Sequence, residues 1–416
     1  MKFIDVFAGL GGFHTGCADA GFECVFASEL DKELRALYKL NFGIDAHGDI
    51  TKINEQEIPE HDLICAGFPC QPFSLAGKKK GAKCPESGKL IDHVQRIARY
   101  HKPKFIILEN VPNILTIENG KFWKYLQKIF GEIGYRFKWQ VMSPIDFNIP
   151  QNRKRVFIIG SLCEKALESF KWPTMNCSSK TFDEFLDVEL PHKILEERKQ
   201  KQIIKWQELL DIIGLKDFKS ISLVAPEFGA TYPLDFHNLT LFELKKYKGA
   251  YGANLSECKS WNEVLALMPA YTRKNKSVSD WLKKSALYSR NVYKANGHKI
   301  DQWKKGLDTE YNSWQILEWR GDSKNLNVFD HLIQFRASGM RVSNTKVAPS
   351  LIAMTPTQIP IISSQMRYIS EFEAAKLQGL ESLNLPSIRK NAFKALGNAV
   401  NAKIIKLIAH ELKAVS

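Results

Sequence analysis

Short apolar runs bounded by polar and glycine positions recur at close intervals through the first 160 residues. The runs Phe3–Phe7, Cys24–Ala27, Leu63–Ala66, Lys104–Leu108, Phe137–Met142 and Arg155–Ile159 read as strands. Several of them, such as Leu63-Ile64-Cys65-Ala66, are continuously apolar, as a strand buried on both faces must be. Between them, Lys32–Asn41, Leu90–His101 and Phe122–Ile133 carry helical spacing, and Gly131 and Gly134 punctuate the end of the last one. Such alternation predicts a doubly wound, mostly parallel α/β sheet. From Lys171 to about Asp330 the regularity fades and aromatic residues recur among lysines and arginines. Beyond Tyr368 it returns: Ser370-Glu371-Phe372-Glu373 has the form of a capping box, and Gly397-Asn398-Ala399-Val400 leads into a helix through Leu412. The expected organisation is therefore a first domain over 1–170, a smaller irregular region over 171–350, and 351–416 returning to the first domain. The C-terminal helix is expected to fold back over the exposed face of the first strand.

A chain of 416 residues can bury such a core in two domains. There is no apolar run of membrane-spanning length, and the start of the chain lacks the basic region of a signal peptide. Eight cysteines lie scattered without a CxxC pair. That pattern argues for reduced thiols in the cytoplasm, against a disulfide framework or a metal site. The net charge of +14 points to a polyanionic partner. Within Tyr271–Lys305 ten Lys or Arg residues face only two acids, Asp280 and Asp301, and aromatics are interleaved with them. Most of those aromatics are expected to be core.

The chemistry gathers where strands end. Open α/β sheets bind ligands beyond the carboxyl ends of their strands. The first strand runs into Phe7-Ala8-Gly9-Leu10-Gly11-Gly12, a turn whose glycines permit close backbone approach to a ligand. The second ends at Glu29, where such folds hold ribose hydroxyls, and Gly48-Asp49-Ile50 ends the next unit. Either acid is also a candidate helix cap. The strand Leu63–Ala66 delivers Gly67-Phe68-Pro69-Cys70-Gln71-Pro72-Phe73-Ser74. Pro69 and Pro72 stiffen the backbone around one thiol; a buried structural cysteine is the alternative. The strand ending Leu108-Glu109-Asn110 delivers a carboxylate in apolar surroundings, which raises its pKa and suits it to give a proton. Arg153 and Arg155, in Gln151-Asn152-Arg153-Lys154-Arg155, are expected on one face of a strand, able to orient an anion or a base carbonyl.

In this order, Phe7-Ala8-Gly9-Leu10-Gly11-Gly12, Pro69-Cys70-Gln71, Glu109-Asn110-Val111, Gln151-Asn152-Arg153-Lys154-Arg155 and Gly397-Asn398-Ala399-Val400 resemble the motif set of the DNA cytosine-5 methyltransferases of bacterial restriction–modification systems. Arg367–Gly379 resembles a further, weaker motif. The resemblance covers 1–160 and about 336–413, and it implies a Rossmann-like domain with a target-recognition region in 171–350. It implies that Cys70 attacks C6 of a cytosine, Glu109 contacts N3 and the exocyclic amine, Asn110 braces the Pro69-Cys70 turn, Arg155 holds the base carbonyl, and Arg153 supports Glu109 or the adduct. The implied cofactor is S-adenosylmethionine, in a pocket of Phe7, Gly9, Leu10, Gly12, Glu29, Leu30, Asp49, Ile50, Pro69, Leu90 and Asn398. The implied substrate is double-stranded DNA with the base flipped out. Gln71, Ser74, Lys78 and Arg341 are the substrate-binding candidates, with Ser74–Gly88 as a closing loop and Lys78, Lys79 and Lys80 meeting phosphates. No metal and no membrane are expected, and the enzyme is expected to act as a monomer, with any cognate endonuclease separate.

The family usually carries a Thr-Leu pair near the end of the recognition region; here the nearest match is Ser350-Leu351. Three other readings compete. An RNA cytosine-5 methyltransferase would have a more compact insert than 171–330. A nicotinamide-dependent oxidoreductase would use the glycine turn and Glu29 but gives no role to Cys70 or Glu109. A catalytically silent DNA-binding module would not need either residue.

Overall fold

The computed structural model describes residues 1–69, 90–174, 181–187, 192–214, 222–273, 278–353 and 358–416. Two compact units emerge: Met1–Leu190 with Pro349–Pro356 and Ser370–Ser416, and Pro191–Ala348 with Thr357–Ile369.

The first unit contains strands β1 (Lys2–Val6), β2 (Glu23–Ser28), β3 (Leu63–Ala66), β4 (Phe105–Asn110), β5 (Arg136–Met142), β6 (Gln151–Asn152) and β7 (Arg155–Ser161). Its helices include α1 (Gly12–Asp19), α2 (Lys32–Phe42), α3 (Leu90–His101), α4 (Lys121–Gly131) and α5 (Glu164–Ser169). Six strands form one sheet in the order β2-β1-β3-β4-β7-β5. The pairs among β2, β1, β3 and β4 are parallel, and β7 runs antiparallel to both β4 and β5.

Strand alternation divides the core into two layers, because successive side chains point to opposite faces. Phe3, Leu63, Cys65, Phe105, Ile107, Phe157 and Ile159 pack with Phe13 and Cys17 of α1 and with Ile404, Ile405, Ile408 and Leu412 of the C-terminal helix Ala402–Ala414. Ile4, Ile64, Ala66, Ile106, Leu108, Val156 and Ile158 pack on the other face with Ile91, Val94 and Ile97 of α3 and Phe122, Leu126 and Phe130 of α4. Each Val, Leu, Ile or Phe side chain among them, fully withdrawn from water, is worth about 1.5–3 kcal/mol. The C-terminal helix thus covers one face of the first strand. Its approach depends on Gly12 and Gly16 of α1: a Cβ at Gly12 would stand 2.3 Å from the Val400 carbonyl oxygen, and one at Gly16 2.5 Å from that of Ala402.

Register sets the site. Val6, Ala66 and Leu108 are level across β1, β3 and β4, and Asn110 pairs with Val156. The carboxyl ends of the parallel strands and the amino end of β7 therefore share one edge. Arg153 precedes β7 in an irregular link and is not on the strand, so strand alternation does not govern where it points.

The second unit departs from the expected irregularity. Arg367–Tyr368, Ile361–Ile362, His331–Arg336, Gly339–Asn344, Ile316–Arg320 and Ser222–Val224 form, in that order, a second six-stranded sheet. One face packs on the helices Glu197–Ile213 and Asp280–Lys304, burying Trp206, Trp303, Trp314, Trp319 and Phe335 in one cluster. Among the aromatics expected as core, Trp206, Tyr232, Trp303 and Trp314 are buried, whereas Trp281 and Tyr311 are exposed. On this sheet Arg341 is paired with Glu318, its Nε 2.9 Å from Oε2.

Candidate active site

The site of the first unit is built by chain reversals at the sheet edge. Phe7 leaves β1 at φ 61°, an uncommon conformation for a residue with a Cβ. The turn continues through Gly9 at φ 57°, and the Gly9 amide donates to Oε2 of Glu29 at 2.8 Å. The other carboxylate oxygen of Glu29 accepts the Asp31 amide at 2.8 Å. The acid at the end of β2 is thereby fixed between two chain turns. Asp49 caps the short helical turn Ile50–Lys52, its Oδ1 accepting the Thr51 amide at 3.0 Å and hydroxyl at 2.8 Å. These hydrogen bonds from Thr51 hold its carboxyl below the usual range.

Beyond this edge lies a cavity of about 590 Å³. Of the eleven residues expected to line a cofactor pocket, Phe7, Gly9, Gly12, Glu29, Leu30, Asp49, Ile50, Pro69, Leu90 and Asn398 line it, while Leu10 is buried and does not. Leu30 is 72% exposed, an apolar surface free to cover a ligand.

Glu109, Asn110, Arg153 and Arg155 face the same cavity. Glu109 is buried, and its Oε1 lies 3.0 Å from Nε of Arg155. Burial pushes the carboxyl above its ordinary range, and the charges of Arg155 and Arg153 pull it back in part. Arg155 also donates from Nη1 to the Lys154 carbonyl at 2.8 Å. Asn110 donates from Nδ2 to the Phe68 carbonyl at 3.1 Å and accepts the Val111 amide at 2.9 Å. It ties the end of β4 to the segment that leaves β3. Arg153 is buried, and its hydrogen bonds reach back from the cavity: it donates to the carbonyls of Leu351, Gly397 and Ala399 at 3.2, 2.9 and 3.0 Å, and to the Ser350 hydroxyl at 3.4 Å.

Cys70, Gln71, Ser74 and Lys78, with the rest of the loop expected to close, lie outside the described residues. Arg341 belongs to the second unit. Glu33, Pro386, Asn391 and Lys394 also line the cavity and escaped the sequence reading. The spacing of Asn391, Lys394 and Asn398, three and then four residues apart, is a one-face helical signal that points to two of them. A buried polar cluster at the start of the turn also went unseen. Tyr38 donates to Oδ2 of Asp5 at 3.3 Å, and Nδ1 of His14 lies 2.7 Å from the Tyr38 oxygen. Burial pushes the Asp5 carboxyl up and brings His14 down to about 4.

Among the described residues no group of three or more His, Cys, Asp or Glu is placed to hold a metal, no helix is long and apolar enough to cross a membrane, and Cys17, Cys24, Cys65, Cys163 and Cys258 are free thiols.

Known proteins resemble this chain in sequence and in fold. Over 173 residues the chain is 41% identical to the Type II methyltransferase M.HhaI of Haemophilus parahaemolyticus, covering 42% of this chain and 53% of that one. Over 204 residues it is 36% identical to the Type II methyltransferase M.MspI of a Moraxella species, 49% of this chain and 48% of that one. The matched stretch thus spans about half the length of these relatives. The solved structure of the Entamoeba histolytica methyltransferase EhMeth superposes with a TM-score of 0.53 at 15% identity, over 100% of this chain and 98% of that one. The S. pombe Dnmt2 methyltransferase superposes at 0.50 and 16%, over 100% and 99%. At such identity these two establish the fold, that of methyltransferases built on mixed sheets and helices. The family model for C-5 cytosine-specific DNA methylases matches residues 1–414, and the chain belongs to that family.

Proposed function

We propose that the chain transfers a methyl group from S-adenosylmethionine to C5 of a cytosine flipped out of duplex DNA, as the modification enzyme of a restriction–modification system. In this reading the first unit is a doubly wound, Rossmann-like catalytic domain and the second unit is the target-recognition domain. The observation that carries the proposal is the convergence at one sheet edge of the Glu109–Arg155 pair with Asn110, which braces the segment leading to Pro69 and Cys70.

The cavity fits the cofactor by its donor set. Glu29 presents a fixed carboxylate for ribose hydroxyls, Asp49 keeps Oδ2 free of the Thr51 bonds for an adenine amine, and Ile50 and Leu30 offer apolar contact. S-adenosylmethionine supplies an electrophilic methyl group when bound. The cytosine ring carbon is not nucleophilic by itself, and a covalent adduct solves that problem. The Cys70 thiolate would form a bond to C6, and the ring electrons pushed toward N3 would be met by the proton or hydrogen bond of Glu109. C5 then carries the electron density that takes the methyl group. Loss of the C5 proton to solvent lets the C6–S bond break and returns the thiolate. Arg155 would direct Nη2, which has no partner among the described residues, to the base carbonyl. Extrusion of the base is required because the ring cannot be reached inside the stack.

The test uses duplex DNA containing 5-fluorocytosine, in which the C5 substituent cannot leave as a proton. Wild-type protein with S-adenosylmethionine should become covalently attached, and Cys70→Ser should not, while keeping its DNA affinity. Trapping of the serine variant at the wild-type rate would refute the assignment. Transfer of labelled methyl to RNA but not to DNA would favour the RNA-directed alternative.

A further inference from the structure

The cavity is lined by five carboxylates, Glu29, Asp31, Glu33, Asp49 and Glu109, and by three cations, Arg153, Arg155 and Lys394. A ligand with an amino-acid end brings a carboxylate into this acidic surrounding, and an anion there needs a partner of opposite charge. Two of the cations are committed. Arg153 donates to three backbone carbonyls at 2.9–3.2 Å, and Arg155 is held by Glu109 and the Lys154 carbonyl. Lys394 is exposed and makes no hydrogen bond or ion pair among the described residues.

Its position is not that of an ordinary solvated lysine. The helix Arg389–Asn398 presents Asn391, Lys394 and Asn398 to the cavity, three and then four residues apart, so they share one face. The first turn of that face is anchored, because Nδ2 of Asn391 donates to Oε2 of Glu33 at 2.8 Å. Asn384, just upstream, exchanges hydrogen bonds with Asn41 at 2.8–3.1 Å. The backbone carrying Lys394 is therefore fixed against α2 on one side, and by Arg153 at the Gly397 and Ala399 carbonyls on the other.

We infer that Lys394 is a cofactor-binding residue that supplies the countercharge for the carboxylate of the methyl donor's amino-acid end. The inference rests on the proposed methyl-donor cavity and adds a binding group to it. An exposed ammonium on a four-carbon stem can follow such a carboxylate as the ligand seats.

The test measures binding to the full chain by calorimetry, with S-adenosylhomocysteine, which has the amino-acid end, and 5′-methylthioadenosine, which lacks it. Lys394→Met should weaken S-adenosylhomocysteine by about tenfold, the scale of one charge-assisted hydrogen bond partly in water, and leave methylthioadenosine within about twofold. Lys394→Arg should restore most of the loss. Equal weakening of both ligands would make Lys394 a shape-holding residue and overturn the inference. Unchanged S-adenosylhomocysteine binding, with a salt slope of DNA affinity lowered by about one unit, would put the ammonium on a phosphate and overturn it too. Wild-type protein binding neither compound would defeat the cofactor reading itself, whereas normal wild-type binding with an indifferent Lys394→Met defeats the inference alone.

Discussion

Replacing Arg153 with methionine should damage the site from behind. The guanidinium is 3% exposed and satisfies the carbonyls of Leu351, Gly397 and Ala399. Gly397 lies in the last turn of the helix Arg389–Asn398, where carbonyls have no partner within the helix. A cation there also complements the helix dipole. An unsatisfied buried carbonyl costs about 1–3 kcal/mol. Three of them set an upper bound of about 9 kcal/mol, and non-additivity together with water entering from the adjoining cavity lowers the expected loss to about 3–5 kcal/mol. That is a large part of the roughly 5–15 kcal/mol that holds a domain together. Methionine keeps the apolar volume, so the loss reads the hydrogen bonds rather than a void. Urea unfolding gives the stability, and amide hydrogen exchange over 396–402 localises it. Exchange there should quicken before the sheet is affected, and affinity for S-adenosylhomocysteine should fall, since Asn398, Ala399 and Val400 line the cavity. Arg153→Lys should recover only part, because one ammonium cannot span the carbonyls that a planar fork reaches. A loss under about 1 kcal/mol with unchanged exchange at 396–402 would refute the reasoning.

Glu109→Gln should slow the single-turnover chemical step by about a hundredfold or more, the scale of a positioned acid; a near-normal rate would make the carboxylate structural. Because burial raises its folded pKa, Glu109 contributes stability fully present below its unfolded value and lost as pH rises through the folded one, so the glutamine variant should gain on wild type in denaturation at rising pH. Burial brings His14 and His61 down to about 4 from 6.5. Each contributes stability present above pH 6.5 and lost as pH falls through about 4, on the order of 3 kcal/mol each; an acid titration of stability should steepen in that window and flatten in His14→Asn and His61→Gln. Lys284, Lys294 and Lys299 are exposed on the helix Asp280–Lys304, and changing all three to Gln should lower the salt slope of DNA affinity by up to about three units. An unchanged slope would take that helix face off the phosphates.

The first unit was legible because its strands are buried on both faces. Leu63–Ala66 is a strand in sequence and in structure, and Lys104–Leu108 becomes Phe105–Asn110, extended by the two residues that carry the chemistry. Nothing in such runs betrays which strand is antiparallel, and β7 is; that reversal brings Arg155 to the edge where Glu109 and Asn110 close β4. Arg153 shows how a two-residue spacing misleads. The expectation of a shared face assumed a continuous strand, but β7 begins only at Arg155. Arg153, freed from the pleat, turns to carbonyls some two hundred residues away in sequence, a partnership no local pattern encodes. The strands of the second unit were missed because all have six residues or fewer, and short helical turns interrupt them. Their apolar residues serve one shared cluster with two helices, so periodicity is split over pieces too short to register. Local sequence thus announces the groups that must sit at a strand's end. It is silent on the long-range partners that hold those groups still, and the carbonyls bound by Arg153 and the Asn391 amide bound to Glu33 belong to that second kind.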